Sequence, residues 1–386
     1  MNIFLTGATG LLGGELLVEL SKLKEVSKIF CLVRAKNNAE AKNRIATIFN
    51  LRNDFFDKNK VIPCIGDLLH DNLADLLSEN KTLANVDTII HAAANTSFSK
   101  IYNQLVEDTN IGGLYNIVNW AKKLPYLNNF VYVGTASICG SGVKNKIIYE
   151  NEFPDKKTKH FVKYTYTKMQ GEIIIQKELP VEKILIVRPS IIMGDSRHTT
   201  PRSPVILWAL ATLNALRLCP VNEKSKLDII PNDYAAEAII KLLFAKRKHQ
   251  VYHISSGMNS HTTLEKLLVA IGPYYNDLPP FCFIPKSSIP QIKKWARGSI
   301  ESHCELAKHS EYLKFWQSEF HKKQNLRIIF AGLEPYLEFI ELNQVFDKTR
   351  LLQDTDIGTS APAHEYVTNN IEYLKKIDLL EGAVNS

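Results

Sequence analysis

The feature that most constrains this chain is its N-terminus, where a short apolar run leads into a cluster of glycines. Residues 2–6 (NIFLT) are apolar enough for a buried strand, and leucines recur at helical spacing through residues 12–23. Between them lies the turn GATGLLG, residues 7–13. This order favours a phosphate cradle, because glycines allow a tight turn and close backbone approach, and the helix N-terminus supplies N–H donors. The sequence therefore predicts dinucleotide binding here, although a sharp strand-to-helix turn also needs glycine for steric reasons alone.

The end of the second predicted strand bears on which dinucleotide is bound. This strand covers residues 28–33, and Arg34 follows it directly. An NAD site usually carries an acidic residue about 20 positions beyond the glycines, to hold the ribose 2′-hydroxyl; this strand end has none. Arg34, with Lys36 close by, suits a 2′-phosphate instead, because guanidinium and phosphate pair in a bidentate fork. The sequence thus favours NADP(H) over NAD(H); the alternative is that Arg34 is only a solvated charge.

Strands and helices continue to alternate after this unit. Further strands are predicted over 61–65, 86–91, 129–133 and 183–187, with helices over 102–122 and 161–178 among them. Apolar strands in repeated strand–helix units indicate a parallel sheet covered on both faces. The sequence therefore predicts an α/β fold with a Rossmann-type doubly wound sheet, whose ligand lies at the carboxyl ends of the strands.

The pattern changes after about residue 203. Residues 227–230 and 251–254 are expected to return to the main sheet, and Asp233 to cap the helix that begins near Tyr234. We expect residues 1–260 to form the NADP-binding domain, with 195–226 contributing to a substrate lid. Residues 261–386 are then a smaller, mainly helical region for substrate binding or docking.

The stretch KYTYTK, residues 163–168, contains two tyrosines and two lysines, and helical geometry chooses among them. Residues four apart share a helix face, so Tyr164 and Lys168 lie together while Tyr166 points elsewhere. An ammonium near a phenol favours phenolate and is expected to lower the tyrosine pKa, which suits a tyrosine acid near neutral pH. Thr135, at the end of the preceding strand, offers a hydroxyl to orient a substrate carbonyl.

Composition excludes several other classes. The excess of seven positive charges (47 Lys and Arg against 40 Asp and Glu) favours anionic ligands, but it is spread along the chain and no zinc-finger or basic-zipper spacing occurs, so nucleic-acid binding is not expected. Six cysteines without a C-x-x-C pair, and no signal peptide ahead of the first strand, predict a reduced, cytoplasmic protein.

The apolar stretch 204–221 contains Asn214 and Arg217, which favours a core or lid helix over a membrane span, with peripheral membrane contact left open. His303, Cys304, Glu305 and His309 fit no zinc pattern, so no metal is expected.

In combination, TGATGLLG, GDL at 66–68, HAAA at 91–94, Thr135, Y-x-x-x-K at 164–168 and RPS at 188–190 resemble the extended short-chain dehydrogenase/reductase superfamily. The resemblance covers about residues 1–260. It implies that Thr135, Tyr164 and Lys168 are catalytic and that Asn110 supports the lysine and a proton-relay water. The cofactor site predicted in this way comprises Thr6, Gly7, Thr9, Gly10, Leu11, Leu12, Gly13, Arg34, Asp67, Leu68, Ala92, Ala93, Ala94, Tyr164, Lys168, Pro189, Ser190 and Ile191.

A narrower resemblance is to the thioester-reductase and fatty acyl-CoA reductase branch, through LVRAKNNAEAKNRI, TIIHAAANTSF, IVRPSIIMGDSR and LDIIPNDYAAEAI. It implies NADPH-dependent reduction of an acyl thioester, on CoA or on a carrier protein supplied in trans, to an aldehyde, and it leaves open a second reduction to an alcohol. Two places depart from the branch: Gly134 stands where serine is frequent, and His198-Thr199 stands where Thr-Gly is usual. The second lies in a predicted substrate loop and leaves acyl and carrier specificity open.

Two other interpretations stay open on the sequence. The same scaffold serves nucleotide-sugar epimerases or dehydratases and hydroxysteroid-type dehydrogenases, and the absence of an acidic residue at the Arg34 position argues against the sugar enzymes. A non-catalytic NADP-binding regulator is the second, and the presence of both Tyr164 and Lys168 argues against it.

Overall fold

The centre of the fold is a seven-stranded sheet in which every neighbouring pair of strands is parallel. The structure, a computed structural model, describes residues 1–197, 204–275, 277–295, 305–320 and 323–385. Within these ranges the strands are β1 (Asn2–Thr6), β2 (Lys28–Val33), β3 (Val61–Ile65), β4 (Thr88–His91), β5 (Asn129–Val133), β6 (Ile147–Ile148), β7 (Ile184–Pro189), β8 (Ile191–Ile192), β9 (Leu218–Cys219), β10 (Lys226–Leu227), β11 (Ile229–Ile230), β12 (Val251–Ile254), β13 (Thr262–Thr263), β14 (Cys282–Phe283) and β15 (Val345–Phe346). The order in the main sheet is β12-β7-β5-β4-β1-β2-β3, which confirms the predicted doubly wound fold.

Helices cover both faces of this sheet and build a further layer beside it. They are α1 (Leu11–Lys22), α2 (Asn38–Asn50), α3 (Leu73–Glu79), α4 (Asn103–Glu107), α5 (Gly113–Ala121), α6 (Lys163–Glu178), α7 (Pro204–Leu216), α8 (Asn232–Phe244), α9 (Gly257–Ser260), α10 (Leu264–Ile271), α11 (Ile289–Trp295), α12 (Ser310–Glu319), α13 (Lys323–Ile340), α14 (Thr349–Asp354), α15 (Ala363–Tyr366), α16 (Ile371–Leu374) and α17 (Leu379–Asn385). The helix predicted over 102–122 is interrupted by a π-helical turn, Asp108–Gly112, between α4 and α5.

Helices bury both faces of the sheet. Because successive side chains of a strand point to opposite faces, each strand contributes residues to two different cores. In β1, Ile3 and Leu5 join the core under α1 and α8. Phe4, between them, joins the opposite core, where its ring meets the edge of the Trp120 ring of α5 at 4.5 Å between centroids. A run of apolar residues without alternation is therefore what a central parallel strand requires.

A third core lies outside the sheet and joins α7 to the helices of the last hundred residues. Two buried tryptophans hold this layer together: Trp208 donates its indole N–H to the carbonyl of Leu379 at 3.0 Å, and Trp316 donates to the carbonyl of Leu216 at 2.7 Å. One later segment returns to the first domain, since β15 pairs with β6 and Leu351 of α14 lies in the core under the sheet. The domain boundary at residue 260 stays a prediction.

Two local expectations were wrong. Residues 227–230 do not join the main sheet: β10 pairs with β13, and β11 pairs with β8. Asp233 does not cap α8, which begins at Asn232 after Pro231; its carboxylate instead accepts hydrogen bonds from the backbone and the hydroxyl of Ser196. Polar residues near a helix start can serve a neighbouring loop as readily as the helix itself.

The apolar stretch 204–221 forms α7 and β9. Across the described ranges, none of the helices combines the length and apolar character that a bilayer crossing needs. The same part of the chain contains no cluster of three or more His, Cys, Asp or Glu side chains that could hold a metal. His303 and Cys304 lie outside the described residues.

Gly171 in α6 allows this helix to lie directly on β5. A Cβ atom at this position would come within 2.1 Å of the Tyr132 hydroxyl oxygen. We therefore expect Gly171→Ala to lower the free energy of unfolding by about 1–3 kcal/mol, as over-packing of a core does. Urea denaturation measures this. Gly112→Ala is the matched control, because nothing lies within 4 Å of its added methyl group, and it should be neutral or slightly stabilising. Equal stability of the two variants would contradict the packing argument.

Candidate active site

One cavity of about 920 Å³ opens where β1, β4, β5 and β7 end. The structure places all of the sequence-predicted site residues except Asn110 on its wall: Thr6, Gly7, Thr9, Gly10, Leu11, Leu12, Gly13, Arg34, Asp67, Leu68, Ala92, Ala93, Ala94, Thr135, Tyr164, Lys168, Pro189, Ser190 and Ile191. Residues that are far apart in sequence meet here because a parallel sheet brings the carboxyl ends of its strands to one edge.

The glycine-rich turn is packed so closely that side chains are excluded from it. Gly7 has a φ of +75°, and a Cβ there would lie 2.7 Å from the backbone nitrogen of Ala93. A Cβ on Gly13 would lie 2.1 Å from the Gly7 carbonyl oxygen. The turn thus leaves bare backbone and the N-terminus of α1 facing the cavity, which fits the pyrophosphate of a dinucleotide.

Two arginines line the same end of the cavity, and sequence analysis found only one. Arg44, in the second turn of α2, donates its guanidinium N–H to the carbonyl of Arg34 at 2.6 Å, and both side chains lie on the cavity wall. Lys36 is exposed and is not on the wall. Arg44 lies ten positions after Arg34, in the stretch LVRAKNNAEAKNRI. This spacing was the sequence signal that could have identified Arg44 as a second cofactor residue.

Thr135 and Tyr164 meet at the centre of the cavity. Thr135 lies two residues after the end of β5, and its hydroxyl accepts a hydrogen bond from the Ser137 backbone N–H at 3.3 Å. Tyr164 lies in the first turn of α6 and shares a hydrogen bond with Thr135. Burial raises the pKa of the Tyr164 phenol to about 12, while the Thr135 hydrogen bond opposes that rise. The expectation that Lys168 lowers the pKa of Tyr164 was wrong, because burial has the larger effect and raises it.

Lys168 lies one helical turn after Tyr164 and is only 3% exposed. Its ammonium donates to the carbonyl of Val133 at 2.6 Å, at the end of β5. Burial lowers the pKa of Lys168 to about 7, and the nearby Glu172 carboxylate opposes that change. The ammonium form therefore predominates below about pH 7, and its charge is lost as the pH rises through that value.

Asn110 lies behind the cavity wall, in the π-helical turn, and is 3% exposed. Its amide nitrogen donates to the carbonyl of Asn95 and to the hydroxyl of Thr167, both at 3.0 Å, and its oxygen accepts the Asn95 N–H at 2.8 Å. Asn110 thus fixes the loop after β4 against α6. These hydrogen bonds go to Asn95 and Thr167 and not to Lys168, so the support of the lysine by Asn110 stays a prediction.

A buried ion pair lies beneath these residues and was missed by sequence analysis. Glu172 accepts three hydrogen bonds from Arg188, at 2.7 to 3.1 Å, and both side chains are almost fully buried. A Cβ atom on Gly134 would lie 2.9 Å from a carboxylate oxygen of Glu172. A side chain at position 134 would therefore press on this carboxylate, which explains why a glycine fits there.

Beyond Tyr164 the cavity becomes apolar. The ring of Phe98 lies 6.2 Å from the Tyr164 ring, 4.9 Å from Tyr336 and 5.2 Å from Phe339, measured between centroids. The apolar residues that line this end are Phe98, Ile206, Ala209, Leu210, Leu213, Leu227, Ile229, Leu264, Leu267, Phe339 and Ile340. The charged residues on the wall, among those described, are Arg34, Arg44, Asp67 and Lys168, and the first three belong to the nucleotide end. His198 and Thr199 lie outside the described residues.

Comparison with known proteins gives consistent matches. The family model described as male sterility protein matches residues 5–239. The chain is 25% identical to human fatty acyl-CoA reductase 2, over 72% of this chain and 62% of that protein. It is 28% identical to a non-canonical nonribosomal peptide synthetase of Aspergillus campestris, over 62% of this chain and 24% of that protein. The match covers 60% of the length of a putative fatty acyl-CoA reductase of Drosophila melanogaster, as it covers 62% of the human protein.

Two solved structures support the fold. The terminal R domain of the myxalamid biosynthetic pathway superposes with a TM-score of 0.72 at 22% identity, covering 97% of this chain and 90% of that domain. UDP-glucuronic acid 4-epimerase from Bacillus cereus superposes with a TM-score of 0.64 at 15% identity, over 97% of this chain and 99% of that enzyme. The sequence and family matches confirm the resemblance drawn from the motifs.

Proposed function

Because the chain belongs to the male sterility protein family, we propose that it reduces acyl thioesters with NADPH. The observation that carries this proposal is a single cavity with three consecutive parts. Its first part has bare glycine backbone and two arginines, its middle has Thr135, Tyr164 and Lys168, and its last part is apolar. A phosphate-rich cofactor, a reacting carbonyl and an acyl chain suit these parts in that order.

The cofactor end suits NADPH in particular. Arg34 and Arg44 supply two guanidinium groups for the 2′-phosphate, and the turn after β1 supplies backbone N–H groups for the pyrophosphate. When bound, NADPH supplies the hydride. In this proposal Lys168, which lines the wall with Tyr164, holds the nicotinamide ribose.

The proton chemistry follows from the state of Tyr164. With a pKa of about 12, its phenol stays protonated at neutral pH, and so it can donate a proton to the oxygen of a reduced carbonyl. Thr135 and Tyr164 together hydrogen-bond that oxygen as negative charge develops. The Lys168 ammonium stabilises the phenolate that remains. The resulting hemithioacetal collapses as its C–S bond breaks and its hydroxyl proton passes to the thiolate, which gives aldehyde and thiol. An alcohol would require a second molecule of NADPH to reduce the aldehyde.

The apolar end distinguishes this proposal from a sugar-nucleotide enzyme. A sugar diphosphate needs cationic partners on the substrate side, and the described wall beyond Tyr164 offers apolar side chains there. We propose that residues 1–260 hold the cofactor and that α7 and residues 261–386 cover the acyl chain. CoA or a separate carrier protein presents the thioester.

The primary test is NADPH oxidation, followed by absorbance, with a panel of acyl-CoA and acyl-pantetheine thioesters. Release of free thiol with turnover is expected, and product analysis distinguishes aldehyde from alcohol. NADPH binding without turnover on any thioester, including carrier-bound ones, together with turnover of a sugar nucleotide or a simple ketone, would reject the proposal.

We expect Tyr164→Phe to lower kcat by about 10²- to 10⁴-fold, because the proton donor is lost. NADPH affinity, measured by fluorescence, should change little. Tyr166→Phe is the matched control: its ring packs against His160 at 6.1 Å and does not line the cavity. Unchanged turnover of Tyr164→Phe would remove this residue from its role.

We expect Arg34→Ala and Arg44→Ala each to weaken NADPH binding by about 10- to 100-fold, since a hydrogen bond to a charged group is worth about 1.5–3 kcal/mol. NADH, which lacks the 2′-phosphate, should bind nearly as before. Isothermal titration with both cofactors measures this, and Lys36→Ala, whose side chain is not on the cavity wall, is the control. Equal losses for both cofactors would show that the arginines are only structural.

We expect Ala209→Trp to narrow the acyl end, because Ala209 lies on the cavity wall in α7. The ratio of kcat/KM for a dodecanoyl over an acetyl thioester should fall by at least about tenfold. The acetyl substrate in the same variant serves as the internal control. A ratio equal to that of the wild type would place the acyl chain elsewhere.

A further inference from the structure

The ammonium of Lys168 lies over an aromatic ring that none of the sequence motifs pointed to. Its nitrogen is 4.8 Å from the centroid of the Tyr132 ring in β5, well inside the range of a cation–π contact. The same ammonium donates a hydrogen bond to the carbonyl of Val133, the next residue of that strand. One strand end therefore provides both a carbonyl and an aromatic face for the same cation.

The Tyr132 ring is held in place from several directions. The His91 ring at the end of β4 stacks on it at 6.1 Å, with 9° between the planes. His91 in turn shares a hydrogen bond of 3.0 Å with the hydroxyl of Thr6, which also accepts the N–H of Ala93. On the other side, the Tyr132 hydroxyl donates to the backbone carbonyl of Lys168 at 3.4 Å, and Gly171 leaves the room that this hydroxyl occupies. The stack thus links β1, β4, β5 and α6.

The groups around the Lys168 ammonium show why contact with the Tyr132 ring is favourable. Glu172 is the nearby anion, and Arg188 already occupies its carboxylate with three hydrogen bonds. His91 stays neutral, because burial and then Lys168 lower its pKa to about 3. Tyr164 and Tyr132 stay neutral, because burial raises both phenol pKa values. An aromatic face is favourable for a cation in such surroundings, since burial has removed most of its water.

We propose that Tyr132 is a positioning residue: the face of its ring holds the Lys168 ammonium at the cavity wall. The consequence for catalysis rests on the proposed function, in which the charged lysine serves the ribose and the phenolate. The contact itself does not depend on that function.

The test titrates Lys168 directly. In protein labelled with ¹³C at the lysine ε-carbon, the Lys168 resonance is assigned by its loss in Lys168→Arg, and its chemical shift is followed against pH. Removing an interaction that favours the charged form lowers the pKa. We therefore expect Tyr132→Leu to move the Lys168 pKa down by about 0.5 to 1.5 pH units. Tyr132→Phe, which keeps the ring, should leave it close to the wild-type value.

Phe130→Leu is the matched control. Phe130 is a buried aromatic residue two positions earlier in β5, in the same core as Tyr132, and so it tests the effect of cavity formation alone. Its variant should leave the Lys168 pKa unchanged. Should Tyr132→Leu not fold, phenylalanines with one, two or three ring fluorines at position 132 keep the shape and weaken the π face stepwise; the pKa should then fall with each fluorine.

Three results would overturn the proposal: an unchanged Lys168 pKa in Tyr132→Leu, an equal decrease in Phe130→Leu, or no trend with fluorination. None of these readouts uses a substrate. A protein that shows this decrease, yet turns over a sugar nucleotide or a simple ketone and no thioester, would therefore reject the proposed function and retain the Tyr132 contact.

Discussion

The parallel direction of every strand in the main sheet is the constraint on which the site depends. Because all carboxyl ends reach one edge, Thr6, His91, Val133 and Pro189 lie side by side although they span most of the first half of the chain. Beyond these strand ends the backbone N–H and C=O groups are no longer paired between strands, so they are available to a ligand. The glycine turn, the Thr135 hydroxyl and the anchor of the Lys168 ammonium are all consequences of that alignment.

The sequence predicted this sheet edge well because each signal in it is local. Gly7, Gly10 and Gly13 are required by contacts within a few residues or with the adjacent strand end, and Tyr164 and Lys168 are related by one helical turn. Spacing along the chain is sufficient for such features. The same holds for β1, β2, β3 and β5, whose observed bounds equal the predicted ones.

What the sequence could not provide depends on contacts between distant segments. Phe98 meets Tyr336 and Phe339 across more than half of the chain, and the Arg188–Glu172 pair joins a strand to a helix within a buried layer. The pKa of Tyr164 rises because of burial, which spacing does not reveal. The short strands around 227–230 have too few residues for a period to indicate their partners, so their position was mispredicted.

The contact between Gly134 and Glu172 has a consequence for the divergence of this protein from its relatives. A serine at 134 would place its Cβ against the carboxylate oxygen of Glu172, while a shorter residue at 172 would leave Arg188 as an unpaired buried cation. We therefore expect substitutions at 134, 172 and 188 to be coupled, so that the effect of changing one residue depends on the other two. Directed evolution of this chain should treat the three positions as one site.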